Sequence, residues 1–266
     1  MTRVAWCTDI HLNFAKPAAL SDFWRDLQAA HADFVLVGGD IGEAKDIVQY
    51  LELLSQQTTS PVCFVLGNHD FYFGSIQGVR SEVRRVCAAD PRLVYLTDGA
   101  ILELTPSTAL IGHDGWADGR VGNYDRSTIM LNDYRLIREL AGVNKEQRLP
   151  LLQFLGDEAA AAVRRVLPAA LERYERVLFL THVPPLREAC WHEGSISDDE
   201  WSPHFTCLAV GTAMLEIMRA HPHQQLTVFC GHTHSTGETH PLPNFTIFTG
   251  AASYGFPALN RVFDID

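Results

Sequence analysis

The chain has 266 residues, 47% of them hydrophobic and 20% charged, a composition that excludes long disordered stretches and supplies a large core. Its 21 basic against 32 acidic side chains leave a formal charge of -11, which repels polyanions at long range and argues against long duplex DNA as a substrate. No linker interrupts the sequence, so one domain over residues 1–266 is expected, with long loops near 113–126 and 183–205.

Three short apolar runs each end in polar residues: Val4 to Cys7, Phe34 to Val37 and Val62 to Leu66. They read as buried strands, and helical periodicity over 16–31, 43–57 and 75–89 makes the first third βαβαβα. That alternation predicts a parallel sheet. Runs at 93–96, 100–104 and 108–112, separated by Asp98-Gly99 and Pro106-Ser107, suggest a meander that extends this sheet or begins a second. After the loop at 113–126, helical patterns cover 127–141 and 151–175, punctuated by Pro150 and Pro168. Arg176 to Leu180 returns as a strand. The loop at 183–205 then leads to a helix from about Cys207 to Ala220, a strand from Leu226 to Phe229, and terminal strands near 245–249 and 260–265. Loops this long in a compact domain are usually functional.

The six cysteines form no C-x-x-C pair and read as reduced, mostly buried thiols, Cys7 and Cys230 packing near the site described next. Thr2-Arg3 runs at once into a strand without a signal-peptide pattern, and no apolar run reaches membrane-spanning length. A cytoplasmic location without a membrane partner is therefore expected.

Five polar clusters stand where apolar strands stop: Asp9-Ile10-His11, Gly39-Asp40, Gly67-Asn68-His69-Asp70, Thr181-His182 and Gly231-His232-Thr233-His234. In an open α/β sheet the carboxyl ends of the strands share one crevice, so the clusters should meet there. The i, i+2 pairs Asp9/His11 and His232/His234 would lie on one side of an extended segment, about 6.6 Å apart at roughly 3.3 Å per residue, and so chelate one ion or straddle two. Carboxylate and imidazole donors suit Mn, Fe or Zn, and a shared carboxylate holds two cations together against their repulsion. Gly39, Gly67 and Gly231 would let the backbone turn sharply toward the ions.

In this order the clusters resemble the signature of the calcineurin-like metallophosphoesterase superfamily: D-x-H, G-D, G-N-H-[DE], H and G-H-x-H. The match runs from Asp9 to His234. The resemblance implies an α/β fold in a four-layered α/β/β/α sandwich, with a dinuclear site at the carboxyl ends of the strands. It further implies that Asp9, His11, Asp40 and His234 bind one metal and that Asp40, Asn68, His182 and His232 bind a second, with Asp40 bridging. Two divalent ions are expected, manganese favoured. A hydroxide bridging them would attack the phosphorus of a phosphomonoester or phosphodiester. His69 would protonate the leaving alkoxide. Glu43 stands where relatives with G-D-x-x-D place the acid that supports such a histidine, and Asp70 is its rival. Gly39-Asp40-Ile41-Gly42-Glu43 lacks the Arg-Gly of the serine/threonine phosphatase branch, which argues against protein phosphatase activity.

Trp116, Arg120, Tyr124 and Arg126 form a candidate stacking and anion-binding wall for a small nucleotide-like substrate; the alternative is a loop whose aromatics pack inward and whose arginines pair with Asp118 and Asp125. His31, His221, His223 and His240 read as ordinary surface or turn residues, His192 and His204 stay undecided, and His113 is left outside the metal set. Two other functions are weighed: a nuclease for short or single-stranded nucleic acid, which the overall charge disfavours, and a non-catalytic scaffold, which the full set of ligands and His69 disfavours.

Overall fold

The computed structural model describes all 266 residues. It opens with three strand-helix units: β1 (Thr2–Cys7), α1 (Pro17–Ala29), β2 (Phe34–Gly38), α2 (Ile47–Gln57), β3 (Val62–Val65) and α3 (Ile76–Ala89). There follow β4 (Leu93–Tyr95), β5 (Leu102–Thr105), β6 (Thr108–Gly112), the short α4 (Asp133–Leu136), α5 (Lys145–Leu171) and β7 (Arg176–Leu180). The last part holds the small hairpin β8 (Trp191–His192) and β9 (Ser195–Ile196), then α6 (Ser202–Phe205), α7 (Leu208–Ala220), β10 (Gln225–Cys230), β11 (Gly237–Leu242), β12 (Phe245–Thr249) and β13 (Arg261–Ile265).

Two large sheets result, ordered β13-β1-β2-β3-β4 and β11-β12-β10-β7-β6-β5. Their interiors are parallel, and antiparallel β13, β11 and β5 lie at edges. Alternation along the strands builds the layers. Val35, Val37, Val62 and Phe64 face α1, α2 and α3, whereas Leu36, Cys63 and Val65 face the second sheet. In the second sheet Val177, Phe179 and Val228 meet α5 and α7, while Leu178, Leu180 and Phe229 point back at the first. Both faces of each sheet are thus apolar, as two-sided burial demands. The result is the four-layered α/β/β/α sandwich.

Three expectations change. The run at 93–112 is not a meander: β4 pairs in parallel with β3, and only β5 and β6 form a hairpin in the other sheet. The helix expected over 127–141 shrinks to α4, because Phe73 N donates to Leu136 O and Arg138 N to Gly74 O, tying that segment to a neighbouring loop. Its apolar spacing instead buries Tyr134, Ile137 and Leu140 through irregular turns. Conversely, α5 starts before Pro150 and runs through it. A proline inside a helix costs about 3 kcal/mol, but each buried Leu or Val returns about 1.5–3 kcal/mol. Leu152, Val163 and Leu167 are buried on α5, and a capping box between Asn144 and Gln147 starts the helix upstream. The edge strand β11 is an addition that no apolar run announced.

Candidate metal centre

Asp9 and His11 follow β1, Asp40 follows β2, Asn68 follows β3, His182 follows β7, and His232 and His234 follow β10. The two sheets therefore deliver these side chains to one edge of the sandwich. The segments are not extended, as the i, i+2 reading required. Asp9, His11, Asp40, His232 and His234 all have positive φ, between 40° and 70°. Left-handed backbone of this kind in residues other than glycine concentrates at functional sites. Among the expected glycine turns only Gly39 has positive φ (89°). Gly67 and Gly231 are needed for space: a Cβ there would stand 2.1 Å from Asp40 Oδ1 and 2.0 Å from Asp9 Oδ2, respectively.

One group of donors comprises Asp9, His11, Asp40 and His234, whose ligating atoms all lie within 4.8 Å of one another. His11 Nε2 is 3.1 Å from His234 Nε2, which in turn is 3.3 Å from Asp9 Oδ1. Asp40 turns one oxygen to each side, Oδ2 at 3.7 Å from His11 Nε2 and Oδ1 at 3.4 Å from His182 Nε2.

The second group has an unusual donor balance. His182 Nδ1 donates to the Gly38 carbonyl at 2.9 Å, and His232 Nε2 donates to the His204 carbonyl at 3.1 Å. Burial pushes the His232 imidazole down to about 3, so the ring is neutral and its only proton is committed to that carbonyl. Asn68 Nδ2 donates to Asp133 Oδ1 (2.8 Å), which aims its carbonyl oxygen inward. Asn68 Oδ1, His182 Nε2 and His232 Nδ1 consequently face one another. Asn68 Oδ1 is 3.0 Å from both His182 Nε2 and His232 Nδ1, and those nitrogens are 3.2 Å apart. A cation would be held well by such a set. His11, likewise neutral through burial, is pushed down to about 2.

His69 Nε2 lies 4.0 Å from Asp40 Oδ2 and 3.4 Å from the Tyr254 hydroxyl. Its Nδ1 is buried without a hydrogen-bond partner. The acidic support expected of Glu43 is not formed: Glu43 pairs with Lys45 Nζ at 2.8 Å. Nor does Asp70 serve, since its carboxylate accepts from the backbone N–H groups of Ile41, Gly42 and Gly67, each at 2.8 Å. Asp70 therefore shapes the loops that carry Asp40 and Asn68.

The stacking wall expected from the loop after Gly112 is also absent. Trp116 and Tyr124 are buried in the core, where Trp116 meets Phe71 and the Tyr124 hydroxyl donates to the Lys145 carbonyl. Arg120 is tied to Asp118 and Asp157, and exposed Arg126 lies outside the cleft. Cys7 and Cys230 are buried thiols directed at strand carbonyls.

Sequence reading missed three residues at the site. Asp133 also accepts from the Tyr72 hydroxyl at 2.7 Å, and both were hidden in segments whose patterns suggested only a helix or loop. Tyr254 follows β12, so the rule that gathered the other clusters would have reached it. His192, undecided before, lines the same cleft, whereas His204 is held by Tyr134 and Ser127 and contributes its carbonyl. No helix is long and apolar enough to cross a membrane.

Residues 2–236 match the family model of the calcineurin-like phosphoesterases. No curated protein matches the chain by sequence. Among solved structures, it is similar to a phosphopantetheinyl hydrolase from Mycobacterium tuberculosis, at 15% identity and a TM-score of 0.65, covering 95% of this chain and 89% of that one. It is similar also to a dimetal phosphatase from Danio rerio, at 17% identity and a TM-score of 0.61, covering 98% of this chain and 91% of that one. At such identities the structural likeness speaks for the fold alone. With the family match extending over nearly the whole sequence, the chain belongs to the calcineurin-like phosphoesterases, metal-dependent enzymes that hydrolyse phosphate esters.

Proposed function

We propose that this protein hydrolyses the phosphate ester of a small, nucleotide-like molecule with two divalent ions, manganese favoured. Asp9, His11, Asp40 and His234 would hold one ion; Asp40, Asn68, His182 and His232 would hold the other, with Asp40 shared. The observation that carries this reading is the convergence of Asn68 Oδ1, His182 Nε2 and His232 Nδ1, each side chain fixed from behind by a hydrogen bond. When bound, such ions supply Lewis-acid charge to the phosphoryl oxygens and activate water near neutral pH.

The chain's own side chains do the remaining work. His182 and His232 keep their tautomers through backbone carbonyls, and Asp133 orients the Asn68 amide. His69 Nε2 opens on the cleft, where it would protonate the leaving oxygen. Burial pushes its imidazole down to about 3, while an incoming phosphate dianion works the other way and favours the protonated ring.

The test is elemental analysis of dialysed protein together with hydrolysis of a nitrophenyl phosphodiester. Near two equivalents of metal and metal-dependent turnover are expected. Protein that takes up no metal, or takes it up without turnover, would contradict the proposal.

A further inference from the structure

Next to the metal group lies a cleft of about 290 Å³ whose lining includes His69, Asp133, Phe205 and Tyr254, and no Lys or Arg. A ligand entering it meets one set of phosphate-binding groups and otherwise neutral or acidic surface. A second phosphate would find no cationic side chain there.

Tyr254 is the most exposed aromatic ring of that lining. It is 49% exposed, although its ring centroid lies only 4.5 Å from that of His11 and 5.0 Å from that of His234. Phe14, 48% exposed and 5.1 Å from Tyr254, continues the aromatic surface outward. The loop carrying Tyr254 is fixed rather than slack. Gly250 N donates to Cys230 O (2.8 Å), Ala252 N to His234 O (3.3 Å) and Asn260 Nδ2 to Ala251 O (2.7 Å). Asn260 Oδ1 in turn accepts from Thr8 N (2.9 Å), one residue before Asp9. A half-exposed ring held rigidly over the metal-binding histidines gains little for the core and offers a flat face to a ligand.

We infer that Tyr254 determines specificity by stacking on a planar group of a substrate that carries a single phosphate, such as the base of a mononucleotide. This rests on the phosphoesterase reading above. The experiment is calorimetric titration of the metal-loaded protein with phenylphosphonate and methylphosphonate, which share the phosphorus anion and differ in the ring. Wild type should bind phenylphosphonate more tightly. Tyr254→Ala should weaken phenylphosphonate about 5- to 100-fold more than methylphosphonate, and Tyr254→Phe should preserve the preference. Equal losses for both ligands, or no loss for either, would overturn the stacking role while leaving the phosphoesterase reading intact. Failure of both ligands to bind wild type would overturn the two together. Higher kcat/KM for adenosine triphosphate than for adenosine monophosphate would overturn the single-phosphate part.

Discussion

Asp114 and Asp40 are both buried aspartates placed just beyond parallel strands, yet their surroundings are opposite in kind. Around Asp114 every acceptor has a donor. Oδ1 receives Leu66 N at 2.8 Å and Thr97 Oγ1 at 2.6 Å, and Oδ2 receives Arg80 Nε at 3.0 Å and the Tyr95 hydroxyl at 2.6 Å. Around Asp40 donors are few: the His69 backbone N–H is its hydrogen-bond donor at 2.8 Å, and the other close groups are His182 Nε2 at 3.4 Å and His11 Nε2 at 3.7 Å. Burial pushes both carboxyls up. Arg80, with His113 and the two hydroxyls, outweighs burial at Asp114 and holds it below the usual range, whereas Asp9 and Asp70 drive Asp40 higher still. A buried acid with a complete donor set is a fastener; one short of donors and close to other acids attracts positive charge.

Substitutions should separate the two kinds. The largest effect is expected from His69→Asn, which should cost about 10²- to 10⁴-fold in turnover on esters with poor leaving groups and leave unfolding stability nearly unchanged. Equal losses on nitrophenyl and alkyl esters would remove His69 from the acid role. Asp114→Asn should do the reverse, lowering unfolding free energy by about 3–5 kcal/mol because Arg80 loses its buried partner and keeps only Glu158, without altering metal content. Its pH signature follows from the sign of the shift: the depressed carboxyl stabilises above its unfolded pKa of about 3.9, and the contribution is lost as pH falls through the folded value. The stability gap between wild type and Asp114→Asn, measured by urea unfolding, should therefore close toward acid; a gap independent of pH would contradict the assignment.

Asp133→Ala removes the carboxylate that accepts from both the Asn68 amide and the Tyr72 hydroxyl, leaving Asn68 Nδ2 only its longer bond to Tyr72, and should weaken metal binding about 10- to 100-fold by competitive chelation. The smallest change tests the comparison most directly. In metal-free protein Asp40→Asn should be neutral or stabilising by about 1 kcal/mol, because it removes a charge that has too few donors. The same variant should fail to retain two equivalents of metal after dialysis. Marked destabilisation without metal would place Asp40 among the fasteners.

Much of this was open to inspection in the sequence. Strand runs such as Phe34 to Val37 are apolar on both faces, and the polar residues after them had to fall at one sheet edge, so the histidine and aspartate clusters could be gathered before any coordinates. What escaped depends mostly on partners distant in sequence, Glu43 excepted. Glu43 satisfies a spacing rule, but Lys45 lies two residues away and takes it. Trp116 and Tyr124 look like recognition residues in a polar loop, and only the packing of Phe71 and Lys145 reveals that they are inside. Asp133 has no local signature, since its role is fixed by Asn68, 65 positions earlier. The departure at 127–141 has the same origin, backbone bonds to residues 73 and 74 replacing a helix that periodicity alone would favour.

The left-handed backbone at Asp9, His11, Asp40, His232 and His234 sets stability against metal binding. Each such residue costs on the order of 1–2 kcal/mol relative to glycine, which adopts that conformation freely. A laboratory selection for heat resistance alone, applied to metal-free protein, would find gains at these five positions, drifting toward glycine there or toward an amide at Asp40. Lineages kept under that pressure would become sturdier while losing side chains proposed to hold the metals, so sturdiness and metal content would part company.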